Sequence, residues 1–237
     1  MTPRAMILAA GIGSRLWPLT DKTPKALLEF RGKPMLDHVV EHLTFYGITE
    51  IVINIHHLAD QIVNHVRSRK NYGVTIEFSD ETDRLMDTGG GILKARWFLQ
   101  DHGPFIVHNV DIFSDLNIEM FYNAHMEQKP LATLAVKRRD TSRNLLLDAE
   151  EKVIGWRDNR SGEIIMAKDE PVDRAVAFSG IHVIDPAIFS VIAREDPFSM
   201  TRAYLELAKT HPIHTVDHSD GEWIDMAHPD NFRGLLN

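Results

Sequence analysis

The apolar run Ala5 to Ala10 breaks off at Gly11-Ile12-Gly13-Ser14-Arg15, and this junction constrains the chain more than any other stretch. A short continuous apolar run suits a strand buried on both faces, which occurs where helices cover a sheet from both sides. The pattern repeats downstream. Met35, Leu36, Val39, Val40 and Leu43 follow Pro34 at helical spacing and stop at Gly47. Ile51-Val52-Ile53-Asn54-Ile55 reads as a strand, Leu58 to Val66 as a helix, Val74 to Phe78 as a strand, Gly91 to Leu99 as a helix, and Phe105 to Asn109 as a strand. Strands alternating with helices imply crossover connections and an α/β fold whose mixed, mostly parallel sheet is flanked by helices. Ligands of such sheets sit beyond the carboxyl ends of the strands, so the loops after Ala10, Phe78 and Val107 are expected to face one crevice.

Beyond Leu131 the chain is richer in strand. Leu131 to Lys137, Leu145 to Leu147, Val153 to Trp156 and Val176 to Ile184 are predicted strands, and the polar stretch Arg157 to Arg174 is a hairpin or mobile loop. Helices are predicted near Pro186 to Ala193 and Thr201 to Lys209. A strand at Ile213 to Val216, the segment Trp223 to Asp225 and a terminal helix follow. No internal repeat, low-complexity tract or linker divides the chain, so one domain over 1–237 is expected, with halves 1–130 and 131–237.

Composition narrows the chemistry. With 237 residues, 43% of them hydrophobic, a chain of this size buries roughly 70% of its unfolded surface and needs no staples. It has no cysteine, which excludes disulfides, thiolate metal sites and a cysteine nucleophile. A net charge of -8 offers no general attraction to nucleic acid or to an anionic membrane. The first apolar run is far shorter than the roughly 20 residues of a membrane span, no signal peptide or lipidation motif is seen, and a cytoplasmic location is expected.

Residues 8 to 28, LAAGIGSRLWPLTDKTPKALL, carry the clearest signal. A buried strand opening into glycines directs backbone N–H groups at a phosphate, and Arg15 and Lys25 add a guanidinium fork and a mobile ammonium. Read alone, the same residues also describe a turn with two solvated cations. Gly13 is followed by Ser14-Arg15-Leu16, so the dinucleotide-binding glycine pattern is incomplete, and the Gly-Lys-Ser/Thr of a P-loop is absent. Glu81 to Gly91 is a glycine-rich loop before a helix, either a base-binding loop whose Gly89 and Gly90 backbone reads a pyrimidine edge or a flexible loop with Thr88 near the helix cap. Asp111 and Asp225 end predicted strands, where a carboxylate serves as a turn or cap residue or binds a cation. Ser179-Gly180 is a bulge in a buried strand or a close backbone approach. His56 and His57 alternate in a strand and point apart, so they are unsuited to one metal ion. The common hydrolase motifs are missing.

Residues 8 to 28 resemble the signature of the sugar-1-phosphate nucleotidyltransferases, also called nucleotide-sugar pyrophosphorylases. Ala9, Ala10, Gly11, Gly13, Arg15, Pro18, Leu19, Thr20, Pro24, Lys25 and Leu28 match as they stand. The resemblance implies a Rossmann-like fold with a nucleotide-binding first half and a sugar-binding second half. It implies transfer of a nucleotidyl group from a nucleoside triphosphate to a sugar 1-phosphate. Arg15 and Lys25 are then the catalytic cations, and Ala9, Ala10, Gly11, Gly13, Gly89 and Gly90 bind the nucleotide. Asn109 and Gly180 contact the sugar, and Asp111 and Asp225 hold Mg²⁺. The short chain and the loop before Gly90 look most like bacterial uridylyltransferases of the N-acetylmuramate 1-phosphate type, which makes UTP the preferred nucleotide. The departures from the family pattern are Asp87 and an extra glycine in the second loop, Val110 in place of a usual glycine, and the absent Glu-Lys-Pro, which leaves Arg157, Lys168 or another cation to hold the sugar phosphate. A non-catalytic nucleotide-sugar-binding regulatory module and a dinucleotide-dependent oxidoreductase are the rival readings.

Overall fold

The computed structural model of the chain describes residues 2–194 and 196–232. Strand β1 (Ala5–Leu8) leads through a 3-10 turn, a short α1 (Leu19–Lys22) and the small ribbon of β2 (Glu29–Phe30) and β3 (Lys33–Pro34) into α2 (Met35–Phe45). The predicted stripe of α2 is buried, and Gly47, at φ 79°, supplies the left-handed residue that ends it. β4 (Glu50–Ile55), α3 (Ala59–Ser68), β5 (Thr75–Asp80), α4 (Asp87–Lys94), α5 (Arg96–Leu99) and β6 (Phe105–Asn109) complete the first half. The rest comprises β7 (Ile112–Ser114), α6 (Ile118–Gln128), β8 (Ala132–Lys137), β9 (Arg143–Leu147), β10 (Val153–Asp158), β11 (Ile164–Met166), β12 (Arg174–Ile184), α7 (Ile188–Val191), α8 (Met200–Leu207), β13 (Ile213–Asp217) and β14 (Trp223–Asp225).

The main sheet runs β11-β10-β9-β12-β6-β1-β4-β5, with β8 pairing β12 and β13. β6, β1, β4 and β5 are parallel to one another, as crossover connections require. The sheet is double-faced because its strands alternate between two cores. Ala5, Ile7, Ile51, Ile53 and Ile106 face a cluster roofed by α2 and α3, while Met6, Val52, Phe105 and Val107 face one roofed by α5, α7 and α8. β12 joins the halves. It runs antiparallel to β6 over Ile181–Ile184 and to β9 over Arg174–Val176. Its register against β8 slips between Phe178 and His182, where Gly180 sits at φ 79°.

Several local expectations change. The helix expected at Gly91 to Leu99 starts at Asp87 and breaks at Ala95, so all three glycines of the loop lie in its first turns. Arg157 to Arg174 contains β11, paired with β10 as a hairpin. The helix near Pro186 to Ala193 shrinks to α7. β4 ends at Ile55, so His56 and His57 lie beyond the strand whose alternation was expected to separate them. Of the terminal helix, a 3-10 turn at Pro229–Phe232 is seen, and the remainder falls outside the described residues. The ribbon β7–β14 was not anticipated. It decides the site.

Candidate active site

The loops after β1, β5 and β6 meet, as the crevice rule demands, around a cavity of about 430 Å³ whose walls include Ala10, Gly11, Lys25, Asn54, Glu81, Asp87, Asn109 and Asp111. Gly13 adopts φ 72°, and a Cβ there would come 2.7 Å from the Thr20 methyl, so only glycine fits this turn. The Thr20 hydroxyl donates to the Gly13 carbonyl at 3.1 Å. Lys25 then folds back over the loop, its Nζ 3.4 Å from where a Cβ on Gly11 would stand.

Two acids far apart in sequence become neighbours here. β14 pairs antiparallel with β7, and the Met226 amide donates to the Asp111 carbonyl at 2.8 Å, which sets Asp225 beside Asp111. The strand carrying Asp225 is pinned from three directions. Lys137 Nζ donates to the carbonyls of Ser219 and Gly221, Asp115 accepts the Glu222 amide at 2.8 Å, and the Trp223 indole donates to the Ser179 carbonyl at 2.9 Å.

Each acid has a cation. Lys25 Nζ lies 2.7 Å from Asp111 Oδ2, both side chains largely buried, and Arg15 Nη1 lies 3.4 Å from Asp225 Oδ2 in a more open position. Burial pushes the Asp111 carboxyl up, but the Lys25 charge and hydrogen bond, with Arg15 beyond, outweigh it and hold the group below its ordinary value. Asp111 is therefore ionised at neutral pH. Val110 does not disturb it. Its amide donates to the Leu8 carbonyl at 3.1 Å and its side chain is fully buried in the core, pointing away from the cleft.

The sequence reading placed Asn54 in a strand and Glu81 at the start of the second loop but assigned neither a role. Asn54 Oδ1 accepts the amides of Ala9 at 2.7 Å and Ala10 at 3.3 Å, and its Nδ2 donates to Glu81 Oε1 at 2.8 Å. Glu81 is fully buried, and its Oε2 accepts the Met86 amide at 2.9 Å. This pair couples the first glycine-rich loop to the second. The signal was visible: Asn54 is a lone amide within an otherwise apolar strand, where a buried polar group must have partners.

The loop from Met86 to Gly90 is clamped. The Gly89 amide donates to the Phe198 carbonyl at 2.9 Å, the Phe198 amide to the Met86 carbonyl at 3.3 Å, and the Met200 amide to Thr88 Oγ1 at 2.8 Å. Thr88 thus accepts from the second half of the chain instead of capping its own helix. A Cβ on Gly89 would fall 2.1 Å from the Phe198 ring. Gly90 meets Met86, with a Cβ 3.0 Å from its side chain. Asn109 and Gly180 come together as well, since a Cβ on Gly180 would lie 2.8 Å from Asn109 Nδ2.

A second cavity, of about 510 Å³, adjoins the first at Asp87, which lines both. It is walled by Arg139, Arg143 and Arg202 with Trp156, Phe178 and Leu205. Arg139 stacks on Trp223, its guanidinium carbon 3.9 Å from the ring centroid, and donates to the Phe178 carbonyl at 3.1 Å. Neither cation named for the missing lysine lines it. Lys168 belongs to a separate surface recess near Glu170, and Arg157 leaves the cavity wall to Trp156, the adjacent residue of β10, because neighbours on a strand face opposite sides.

The nucleotidyl transferase family model matches residues 4–221. The chain belongs to that family. Among its relatives, N-acetylmuramate alpha-1-phosphate uridylyltransferase of Caulobacter vibrioides is 30% identical over 234 residues, covering 95% of this chain and 92% of that protein. Mannose-1-phosphate guanyltransferase of Aspergillus oryzae is 28% identical over 236 residues, covering 97% of this chain, which spans 62% of that longer protein. HddC of Yersinia pseudotuberculosis shares the fold with a TM-score of 0.78 at 21% identity, over 99% of this chain and 98% of that one. UDP-glucose pyrophosphorylase shares it at 0.74 and 18%, over 100% and 98%. This family member is an enzyme of the sugar-1-phosphate nucleotidyltransferase class, with the Rossmann-like α/β architecture expected of it, and nothing in these relationships supports a dinucleotide-dependent oxidoreductase. Among the described residues no helix is long and apolar enough to cross a membrane.

Proposed function

We propose that the chain transfers a nucleotidyl group from a nucleoside triphosphate, UTP by preference, to a sugar 1-phosphate in the presence of Mg²⁺, releasing pyrophosphate. The observation that carries this is the convergence of Lys25, Asp111, Arg15 and Asp225 over the Gly11–Gly13 turn. UTP is favoured because the uridylyltransferase relative is 30% identical over 234 residues, against 28% over 236 residues for the guanyltransferase of Aspergillus oryzae. A cytoplasmic setting, where nucleoside triphosphates are made, suits the reading.

An oxygen of the sugar 1-phosphate attacks the α-phosphorus in line, the P–O bond to the β-phosphate breaks, and its electron pair leaves with pyrophosphate. No covalent enzyme intermediate is needed, so the protein works by positioning and charge stabilisation. Lys25 reaches the phosphates across Gly11, stabilising charge at the reacting centre, and the exposed Arg15 steadies the departing diphosphate. The backbone of Ala9, Ala10, Gly11 and Gly13 lies against the nucleotide. The amides of Ala9 and Ala10 are held by Asn54, which leaves the amides of the glycines for phosphate and the loop carbonyls for the nucleoside. Gly89 and Gly90 shape the wall beside the base, the Gly89 amide being held by Phe198. Asn109 and Gly180 face the sugar.

Asp111 and Asp225 fit Mg²⁺. Two carboxylates on paired segments suit an ion that completes its shell with phosphate oxygens and water. Bound there, Mg²⁺ would neutralise phosphate charge and hold the phosphates in line for displacement. Lys25 and Arg15 then exchange their carboxylates for phosphate oxygens.

The test is a coupled pyrophosphate-release assay over the four ribonucleoside triphosphates and dTTP with pooled sugar 1-phosphates and Mg²⁺, repeated with Asp111→Ala. Release is expected to need both substrates, to be fastest with UTP, and to vanish in the variant. A folded protein that binds nucleotide but releases nothing would instead be a regulatory nucleotide-sugar-binding module.

A further inference from the structure

We propose that Lys137 is a positioning residue for Asp225, its ammonium acting as a tethered monovalent cation around which the turn into β14 is wound. The inference rests on the transferase reading above, which gives Asp225 to Mg²⁺, and adds the residue that holds this ligand in place.

Lys137 ends β8 beside the end of the parallel β13, where the chain turns away through His218 to Gly221. Three carbonyls of that turn converge on its Nζ: those of Ser219 at 2.6 Å, Gly221 at 2.5 Å and, more loosely, His218 at 3.4 Å. An ammonium has three protons to donate and no acceptor, so this cradle satisfies it. Among the described residues no carboxylate pairs with Lys137, and Asp217 at the head of the turn is engaged by Arg174 at 3.1 Å and Arg138 at 3.6 Å. The charge is met by carbonyl dipoles, as when backbone oxygens replace the hydration shell of a potassium ion. Other bonds shape the turn as well. The His218 amide donates to the Val136 carbonyl and the Gly221 amide to the His218 carbonyl, each at 3.0 Å, and His218 Nε2 lies 2.7 Å from the buried Ser179 Oγ. A cradle of this shape can therefore outlast the loss of its lysine.

The turn matters because of what it feeds. Gly221 leads through Glu222 directly into β14, whose three residues pair with the three of β7, a ribbon too short to hold its own register. Gly221 packs so closely on Asp115 that a Cβ would stand 2.4 Å from Oδ1, the oxygen that accepts the Glu222 amide. Without the ammonium, three carbonyl oxygens face one another with no donor between them. Opening the turn relieves their repulsion and shifts β14, with Asp225, against Asp111.

The experiment uses Lys137→Ala, which empties the cradle, and Lys137→Met, which keeps the length of the side chain without its charge. Affinity for Mn²⁺, a spectroscopic stand-in for Mg²⁺, is measured by electron paramagnetic resonance with UTP and no acceptor, so no turnover is needed. Both variants are expected to bind Mn²⁺ about 10–100-fold more weakly than the parent, the scale of losing a group that orients a metal ligand. Ammonium chloride is expected to restore much of that affinity to Lys137→Ala and to raise its unfolding midpoint. Tetramethylammonium chloride at the same ionic strength has no proton to donate and should do neither, and Lys137→Met, whose methyl group fills the cradle, should respond to neither salt. Mn²⁺ affinity equal to the parent's in both variants would overturn the inference. So would a Lys137→Ala variant for which ammonium does no more than tetramethylammonium, whether read as Mn²⁺ affinity or as folding. A parent that releases no pyrophosphate with any acceptor would overturn the transferase reading, while the midpoints and Mn²⁺ affinities still decide the role of Lys137.

Discussion

In the cavity beyond β1, β5 and β6 Lys25 lies 2.7 Å from Asp111, with Arg15 3.4 Å from Asp225, whereas the adjoining cavity has three arginines and one acid, Asp87, in its wall. The first set is neutral at rest and the second is positive. On the proposed function a triphosphate arriving with its cation would bring both signs of charge and exchange partners with these ion pairs, which until then keep a buried carboxylate compensated. The two ends also differ in rigidity. Buried hydrogen bonds through Asn54 and Glu81 preset the backbone at one, while long, largely exposed side chains form the other.

The sharpest way to break the contrast is Lys25→Ala, which removes the cation 2.7 Å from Asp111 and leaves that carboxylate buried without its nearest partner. Turnover is expected to fall by about 10²–10³-fold, as when a preorganised charge-stabilising group is lost elsewhere. Steady-state kinetics check this, and unchanged kcat and KM would remove Lys25 from its assigned role. Asn54→Ala tests whether rigidity at that end comes from the buried amide. It orphans the Ala9 and Ala10 amides and one oxygen of Glu81, at roughly 1–3 kcal/mol for each buried group left unsatisfied. Denaturant unfolding measures the loss, and a variant as stable as the parent would show that the loop holds itself.

The smallest expected effect concerns the seam between the two ends. His108 on β6 and His182 on β12 are buried, and burial lowers each to about 3 from an ordinary 6.5. Both are neutral in the folded chain and take up a proton on unfolding as the medium acidifies. Their contribution is complete above pH 6.5 and is lost progressively toward the folded values, with the depressed Asp111 carboxyl acting in the same direction at lower pH. Between pH 7 and 5.5 each histidine is expected to cost about 1 kcal/mol of stability, readable as a falling unfolding midpoint. Replacing His182 by Gln should flatten that slope, and an unaltered slope would assign it to other groups.

How much was legible beforehand depended on whether a feature was local. The strand-to-glycine junction at Ala10 to Gly13, the helix over Met35–Phe45 and the parallel strands announce themselves by periodicity and by turn chemistry. The resemblance over residues 8 to 28 pointed to Asp111 and Asp225, although nothing local said that they meet. Arg139, Arg143 and Arg202 gave no warning, because an arginine beside a strand or at a helix start looks like solvated surface until the opposite wall is known. Asn54 was a readable anomaly that only its partners explain.

By itself the sequence determined the double-faced α/β sheet, the glycine turn that only residue 13 of that type can make, and the family to which the chain belongs. These rest on backbone preferences and on the alternation of apolar side chains, which act over a few residues. The tertiary structure alone decided that β14 pairs with β7 and delivers Asp225 to Asp111, that Gly89 is locked against Phe198, and that Arg139, Arg143 and Arg202 line one cavity. Those outcomes depend on contacts between segments about a hundred residues apart, and Coulomb interactions and hydrogen bonds act through space.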